Sequence, residues 1–230
     1  MVARGEATGW RKWGSAMNER LIYVMGPSGA GKDSVLAGLQ AAWSAAAPLH
    51  WARRTITRSA QPGGEAHEPA DPQAFAALHE AGAFAMHWQA NGLCYGIRHT
   101  ELAPLRQGAW VLVNGSRAWL PELQRRWPGA TLVFIGASPQ VLAQRLAARG
   151  REDPAAIAQR LARQVPVALP EGAIRIDNDH QLADAVQALR LALLARDPRR
   201  SSAPTSHPGV PTHSATPSPN ARTGGAGRWA

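Results

Sequence analysis

Cysteine occurs once in the 230 residues, at Cys94. A single thiol excludes an internal disulfide framework and any cysteine-rich zinc site, and Cys94 reads as an inert packing residue. No apolar run reaches the ~18 residues that a membrane-crossing helix needs. The N-terminal stretch carries charge and tryptophans but no apolar centre, so it is not a secretory signal. Lysine is almost missing too: Lys12 and Lys32 stand alone, and arginine supplies 23 of the 25 cations. Of the +9 net charge, residues 20–196 hold +5, with 18 cations against 13 acids, and the flanks hold the rest. No basic stripe interleaved with aromatics crosses the central segment, so neither nucleic acid nor membrane is expected as a partner. What remains is a cytoplasmic enzyme or binding protein, long enough to bury one sizeable core.

The composition divides the chain in three. Residues 1–18 read as a disordered leader and 19–196 as the folded domain, with Met17 a second candidate start. Residues 197–230, rich in Pro, Ser, Thr, Gly and Ala without an apolar period, cannot bury enough surface to offset chain entropy and read as a disordered tail. Inside the domain, a buried strand is expected at 20–25. A helix follows at 32–46, with Val35, Leu36, Leu39 and Trp43 on one side. Further strands are expected at 49–56, 84–88, 109–113, 131–135 and 173–176. Helices are expected at 72–81, 139–149, 155–168 and 182–195, and a Gly/Pro-rich loop at 61–72. Strands separated by helices predict a parallel sheet covered on both faces.

The sharpest signal is Gly26-Pro27-Ser28-Gly29-Ala30-Gly31-Lys32-Asp33-Ser34. It matches G-x-x-x-x-G-K between a strand and a helix, the context a phosphate loop requires. Glycines let the backbone close on phosphate oxygens, and the N–H groups at the helix start supply positive potential. These residues form the candidate ATP site, with Lys32 reaching the β- and γ-phosphates. Where Ser or Thr usually follows the lysine, Asp33 stands, and Ser34 comes next. A carboxylate repels a triphosphate unless a cation lies between them, so Asp33 and Ser34 are candidate Mg²⁺ ligands. The other reading of Asp33 is a charge that complements the helix dipole. The fold class is α/β, a P-loop NTPase fold.

Beyond the loop stand RRTITR (53–58), GGEAH (63–67), WQANGLCYGI (88–97), VLVNGSR (111–117), RLAARGRE (145–152) and RLAR (160–163). Together with GPSGAGKDS (26–34) they resemble the guanylate kinase branch of the P-loop kinases. Within that branch the chain is more similar to the ribose 1,5-bisphosphate phosphokinases of bacterial phosphonate degradation, over about 21–191. The resemblance implies a guanylate-kinase-like P-loop kinase domain at 19–196, a parallel sheet core flanked by helices, with a mobile lid. It implies transfer of the ATP γ-phosphate to the 1-phosphate of ribose 1,5-bisphosphate, giving phosphoribosyl diphosphate, with Mg²⁺ as cofactor. Lid arginines Arg145, Arg149 and Arg151 would close over the transferred group, with Arg160 and Arg163 joining from the next helix. The family's GE-x-H loop usually runs on into an apolar segment, whereas Glu68-Pro69-Ala70 follows here.

An acceptor that is already a phosphate needs no general base; bringing two polyanions together is the obstacle, and cations solve it. Arg54 and Arg58 are therefore assigned to the acceptor's phosphates. Glu65 suits ribose hydroxyls, and Asn114 and Arg117 offer donors to ribose or phosphate. His67 either binds phosphate or packs its loop, and Tyr95-Gly96 lets the backbone approach the acceptor. Asp177-Asn178-Asp179 resembles the adenine-side loop of these kinases, or else caps the helix that follows. Guanylate kinases carry a tyrosine after their GE and a carboxylate that reads guanine. Here Glu68-Pro69-Ala70 and Phe84-Ala85-Met86-His87-Trp88 supply neither, so a guanine nucleotide is not the expected acceptor. A guanylate or other nucleoside monophosphate kinase is the alternative enzyme. A non-catalytic guanylate-kinase-like binding module is the alternative of another class, and such a module would not need Lys32.

Overall fold

The computed structural model describes residues 18–43, 48–59, 65–148, 155 and 168–196. The leader apart from its last residue, the tail and nearly all of the helix expected at 155–168 lie outside the described residues.

The larger sheet has five strands, all parallel, in the order β2 (Leu49–Ala52), β7 (Trp110–Asn114), β1 (Leu21–Met25), β8 (Thr131–Gly136), β9 (Ile174–Asp177). Strand β1 lies at its centre and is buried along its whole length. Its side chains alternate between two cores, as strand geometry dictates. Leu21, Tyr23 and Met25 meet Val111, Val113 and Trp119. Ile22 and Val24 meet helix α1 (Lys32–Ala42) through Val35, Leu36 and Leu39, and helix α6 (Leu182–Ala195) through Ala185, Leu189 and Leu193. At Gly38 a Cβ would come within 2.6 Å of Val186 Cγ2, so the missing side chain lets these two helices pack closely.

The stretch 49–56, expected as one strand, is two. Strand β2 joins the parallel sheet, and after Arg53 the chain enters β3 (Arg54–Ile56) of a second sheet. That sheet has four strands, ordered β4 (Glu68–Pro69), β3, β6 (Leu93–Arg98), β5 (Phe84–Ala90). Strand β4 pairs parallel with β3, whereas β6 runs antiparallel to both β3 and β5. Strand β6 has no counterpart in the sequence reading. Asn91 (φ 52) and Gly92 (φ 73) form the two-residue turn between Ala90 and Leu93, and Asn-Gly is the standing signal for such a hairpin. Helix α1 ends at Ala42 instead of 46, because Trp43 turns to extended backbone (φ −80, ψ 96). Helix α2 (Pro72–Glu80) starts on proline, with Asp71 accepting from Ala74 N–H at 2.7 Å. Helices α3 (His99–Leu102), α4 (Leu120–Arg126) and α5 (Pro139–Ala148) complete the described set, and the two short ones were not anticipated.

Candidate active site

The glycine-rich loop leaves β1 at Gly26, where a Cβ would sit 2.0 Å from the Ile135 carbonyl oxygen of β8. Gly29 (φ 93) and Gly31 (φ 77) adopt left-handed backbone that other residues rarely take. Lys32 heads α1 and donates from Nζ to the carbonyls of Gly26 (3.0 Å) and Pro27 (3.1 Å). The loop is braced from below by Asn178, only 3% exposed, whose Nδ2 donates to Ala30 O at 2.8 Å. Arg145 of α5 in turn donates to Asn178 O at 2.8 Å. The neighbours of Asn178 have other partners. Asp179 Oδ1 accepts from Ser138 N–H at 2.6 Å, at the start of α5, and Asp177 accepts from Asp179 N–H. The following helix α6 has no side-chain cap, so this triplet serves the phosphate loop and the preceding helix, not the helix after it.

Asp33 lies one residue into α1. Its Oδ1 accepts from Asn114 Nδ2 at 2.8 Å and lies 3.9 Å from Arg54, yet its side chain is 60% exposed and open to a ligand. Asn114 ends β7 and is buried. The amide expected to serve ribose or phosphate is thus turned to Asp33. Tyr23 fixes the turn beyond it: its hydroxyl donates to Ser116 O (2.9 Å) and accepts from Ser116 N–H (2.8 Å). Burial pushes that hydroxyl far above its ordinary pKa, so it stays protonated.

Arg54 and Glu65 form a forked pair: Nε donates to Oε1 at 2.6 Å and a terminal nitrogen to Oε2. The guanidinium lies 5.3 Å from the centre of the Tyr95 ring, which stacks on Trp88 at 5.6 Å and 3°. Burial lowers the Arg54 pKa, opposed by the nearby Asp33 carboxylate. His67 is held by two carbonyls, Glu65 O at 2.9 Å and Arg58 O at 3.0 Å, so its ring nitrogens clasp the loop and neither is turned to a phosphate. Arg58 Nε is buried without a hydrogen-bond partner. The space beside Gly96 is taken by a neighbouring ring. A Cβ there would sit 2.4 Å from the Phe84 ring, so packing against Phe84 explains the residue. Arg117 lies in a short 3₁₀ turn after β7, half-buried, and that burial lowers its pKa.

Two hollows flank the start of α1. The larger, about 680 Å³, has polar walls of Asp33, Ser34, Arg53, Glu65 and Asn114 and an apolar floor that includes Leu36, Trp51 and Leu112. The smaller, about 310 Å³, is bounded by Gly29, Gly31, Ser34, Arg145, Asn178 and His180. Ser34 belongs to both. Arg53 was not assigned a role in the sequence, yet it lines the larger hollow, with its backbone N–H held by Glu101 at 3.0 Å. Trp51 was likewise missed as a site residue, and Asn178, named in the sequence for the adenine side or a helix cap, is found bracing the phosphate loop; neither the apolar wall nor the brace has a local signature. Arg149 and Arg151, with Arg160 and Arg163, lie outside the described residues. The guanine-reading position is filled by Met86, fully buried, and by His87, which faces His79. Among the described residues no cluster of three or more His, Cys, Asp or Glu could hold a metal. Asp33 and Ser34 nevertheless fit Mg²⁺: they offer hard oxygens, and such an ion takes most of its shell from water and nucleotide phosphates. No helix among these residues is long and apolar enough to cross a membrane.

No family profile matches the chain. It is 50% identical over 185 residues to the ribose 1,5-bisphosphate phosphokinase PhnN of Pseudomonas paraeruginosa, covering 79% of this chain and 98% of that protein. It is 46% identical over 170 residues to the protein of the same name from a Ruegeria species, covering 72% of this chain and 87% of that one. Among solved structures, the guanylate kinase of Anaplasma phagocytophilum superposes with a TM-score of 0.55 at 16% identity, over 76% of this chain and 84% of that one. That likeness establishes a guanylate-kinase-like fold.

Proposed function

The chain belongs to the ribose 1,5-bisphosphate phosphokinase family, and on that premise we propose that it transfers the γ-phosphoryl group of ATP to the 1-phosphate of ribose 1,5-bisphosphate. The products are 5-phosphoribosyl 1-diphosphate and ADP. The observation that carries this reading is an intact phosphate loop whose last residue, Ser34, borders both hollows.

In this reading the residues from Gly26 to Ser34 seat the nucleotide phosphates on backbone N–H groups. Lys32 exchanges the carbonyls of Gly26 and Pro27 for β- and γ-phosphate oxygens. An anionic oxygen of the acceptor's 1-phosphate attacks the γ-phosphorus, the bond to the bridging oxygen breaks, and ADP leaves. No proton needs abstraction, so catalysis is positioning and charge neutralisation. Asp33 and Ser34 would hold Mg²⁺, which supplies neutralising charge at the phosphates, and Asn114 fixes the Asp33 carboxylate. Arg53, Arg58 and Arg117 supply cations for the acceptor's two phosphates. Arg54, forked to Glu65, stands as a pre-set pair whose carboxylate accepts from ribose hydroxyls. Arg145, with Arg149 and Arg151, serves the transferred group, and the Asp177–Asp179 turn borders the nucleotide base.

The test sets ribose 1,5-bisphosphate against GMP as acceptor, following ADP release and identifying the product by phosphorus NMR. The sugar bisphosphate is expected to give the higher kcat/KM by about a hundredfold or more, since a site without guanine's hydrogen-bond partners rejects it. A higher kcat/KM for GMP would replace this reading with guanylate kinase activity.

A further inference from the structure

Glu101 stands on the short helix α3 and borders neither hollow, and no step of the proposed reaction uses it. Its side chain is only 15% exposed. A carboxylate withdrawn from water needs donors to hold it, and the donors that meet this one come from the stretch that links the two sheets. Its Oε2 accepts from the Arg53 backbone N–H at 3.0 Å and lies 2.8 Å from Nε2 of His50 on β2. Its Oε1 lies 3.9 Å from Arg53 Nε. Arg53 is the single residue between β2 of the parallel sheet and β3 of the smaller one. Its N–H is thus given to a side chain at the point where the chain changes sheets.

We propose that Glu101 is a positioning residue for the acceptor, a role that rests on the acceptor taking the larger hollow. One carboxylate oxygen fixes the Arg53 backbone, and the other draws its guanidinium by charge, so that Arg53 is aimed at an acceptor phosphate before that phosphate arrives. Arg53 lines the larger hollow, and its side chain is 60% exposed, so little packing fixes its rotamer. An arginine left to solvent samples many rotamers and must surrender them when phosphate binds. Pairing on the Nε side leaves the terminal nitrogens to donate to phosphate oxygens. His50 holds the carboxylate in turn, tying α3 to the edge strand of the parallel sheet. Glu101 itself touches neither substrate and acts through Arg53.

The test measures initial rates with ribose 1,5-bisphosphate and ATP varied in turn, for the full-length wild type, Glu101→Ala, Arg53→Ala and the double variant, each with its melting curve. Glu101→Ala should raise the acceptor KM by about tenfold while kcat and the ATP KM change by less than about twofold, because a contact equally strong in ground and transition states is lost from KM alone. The double variant should stand within about twofold of Arg53→Ala, since the carboxylate works through that arginine. Glu101→Asp is one methylene short of the Arg53 N–H. It should show the same split, and it replaces Glu101→Ala in the cycle if the alanine variant does not fold. An unmoved acceptor KM, a loss shared by kcat and the ATP KM, or effects of the two substitutions that multiply would overturn the positioning role. Wild-type preference for GMP over the sugar bisphosphate would overturn the reading of the acceptor instead. The same cycle run with GMP, whose phosphate also needs cations, would then decide the role of Glu101.

Discussion

Lys32 is occupied before any nucleotide arrives. Its two carbonyl partners belong to the loop that must wrap the phosphates, so ATP replaces neutral acceptors with charged ones and gains the stronger hydrogen bonds. Lys32→Ala is expected to lower kcat by about a hundred- to a thousandfold while leaving the melting curve in place. Steady-state turnover and calorimetry on one preparation check this, and wild-type kcat would remove the lysine from the mechanism. Asn114 gives a subtler test. It donates to Asp33 and is buried, so Asn114→Ala frees the carboxylate without touching the phosphate loop. The Mg²⁺ concentration for half-maximal rate should rise by about fivefold or more, the loss of about one hydrogen bond to a charged group, while ATP affinity without metal holds. An unmoved Mg²⁺ curve would leave Asp33 with the helix dipole alone. At this scale the strand, glycine turn and helix of the phosphate loop were legible, because that loop is a local pattern. It did not show that Asn114 is turned to Asp33, that Glu65 is forked to Arg54, or which of its two readings His67 takes. Their partners lie in other segments, or in the backbone of a folded loop, and residue type alone does not reveal which groups are already paired.

Strands β5 and β6 show what an element needs from its neighbours. Gly96 stands under the Phe84 ring, and Phe84 stacks on Phe75 of α2. Gly96→Ala should destabilise the protein by about 1–3 kcal/mol through overpacking. Urea unfolding would measure it, and shortening Phe84 to Leu in the same chain should recover part of the loss. A neutral Gly96→Ala would mean that the ring swings aside freely. The parallel sheet was legible because its strands are short apolar runs between helices, with Leu21–Met25 the clearest. The smaller sheet was not. Its two-residue strand β4 is too short to show a period, and β3 follows β2 with only Arg53 between them, so two strands read as one. The Asn91-Gly92 turn was the one available clue to β6.

For the whole molecule, the two hollows and the residue they share bear on how the substrates would meet in the proposed reaction. Each has its own walls, on either side of the first turn of α1, and only Ser34 borders both. Under the proposed assignment of one substrate to each hollow, neither needs the other's seat, the acceptor's own oxygen is the nucleophile, and the phosphoryl group never rests on the protein. Initial-rate plots against ATP at several fixed acceptor concentrations should therefore intersect. Parallel lines, or isotope exchange between ATP and ADP without acceptor, would instead demand a phosphorylated enzyme. An inhibitor that joins a nucleotide to a sugar phosphate through a linker long enough to pass Ser34 would fill both seats at once. Its affinity should approach the product of the two separate binding constants, scaled by the effective concentration that the linker imposes.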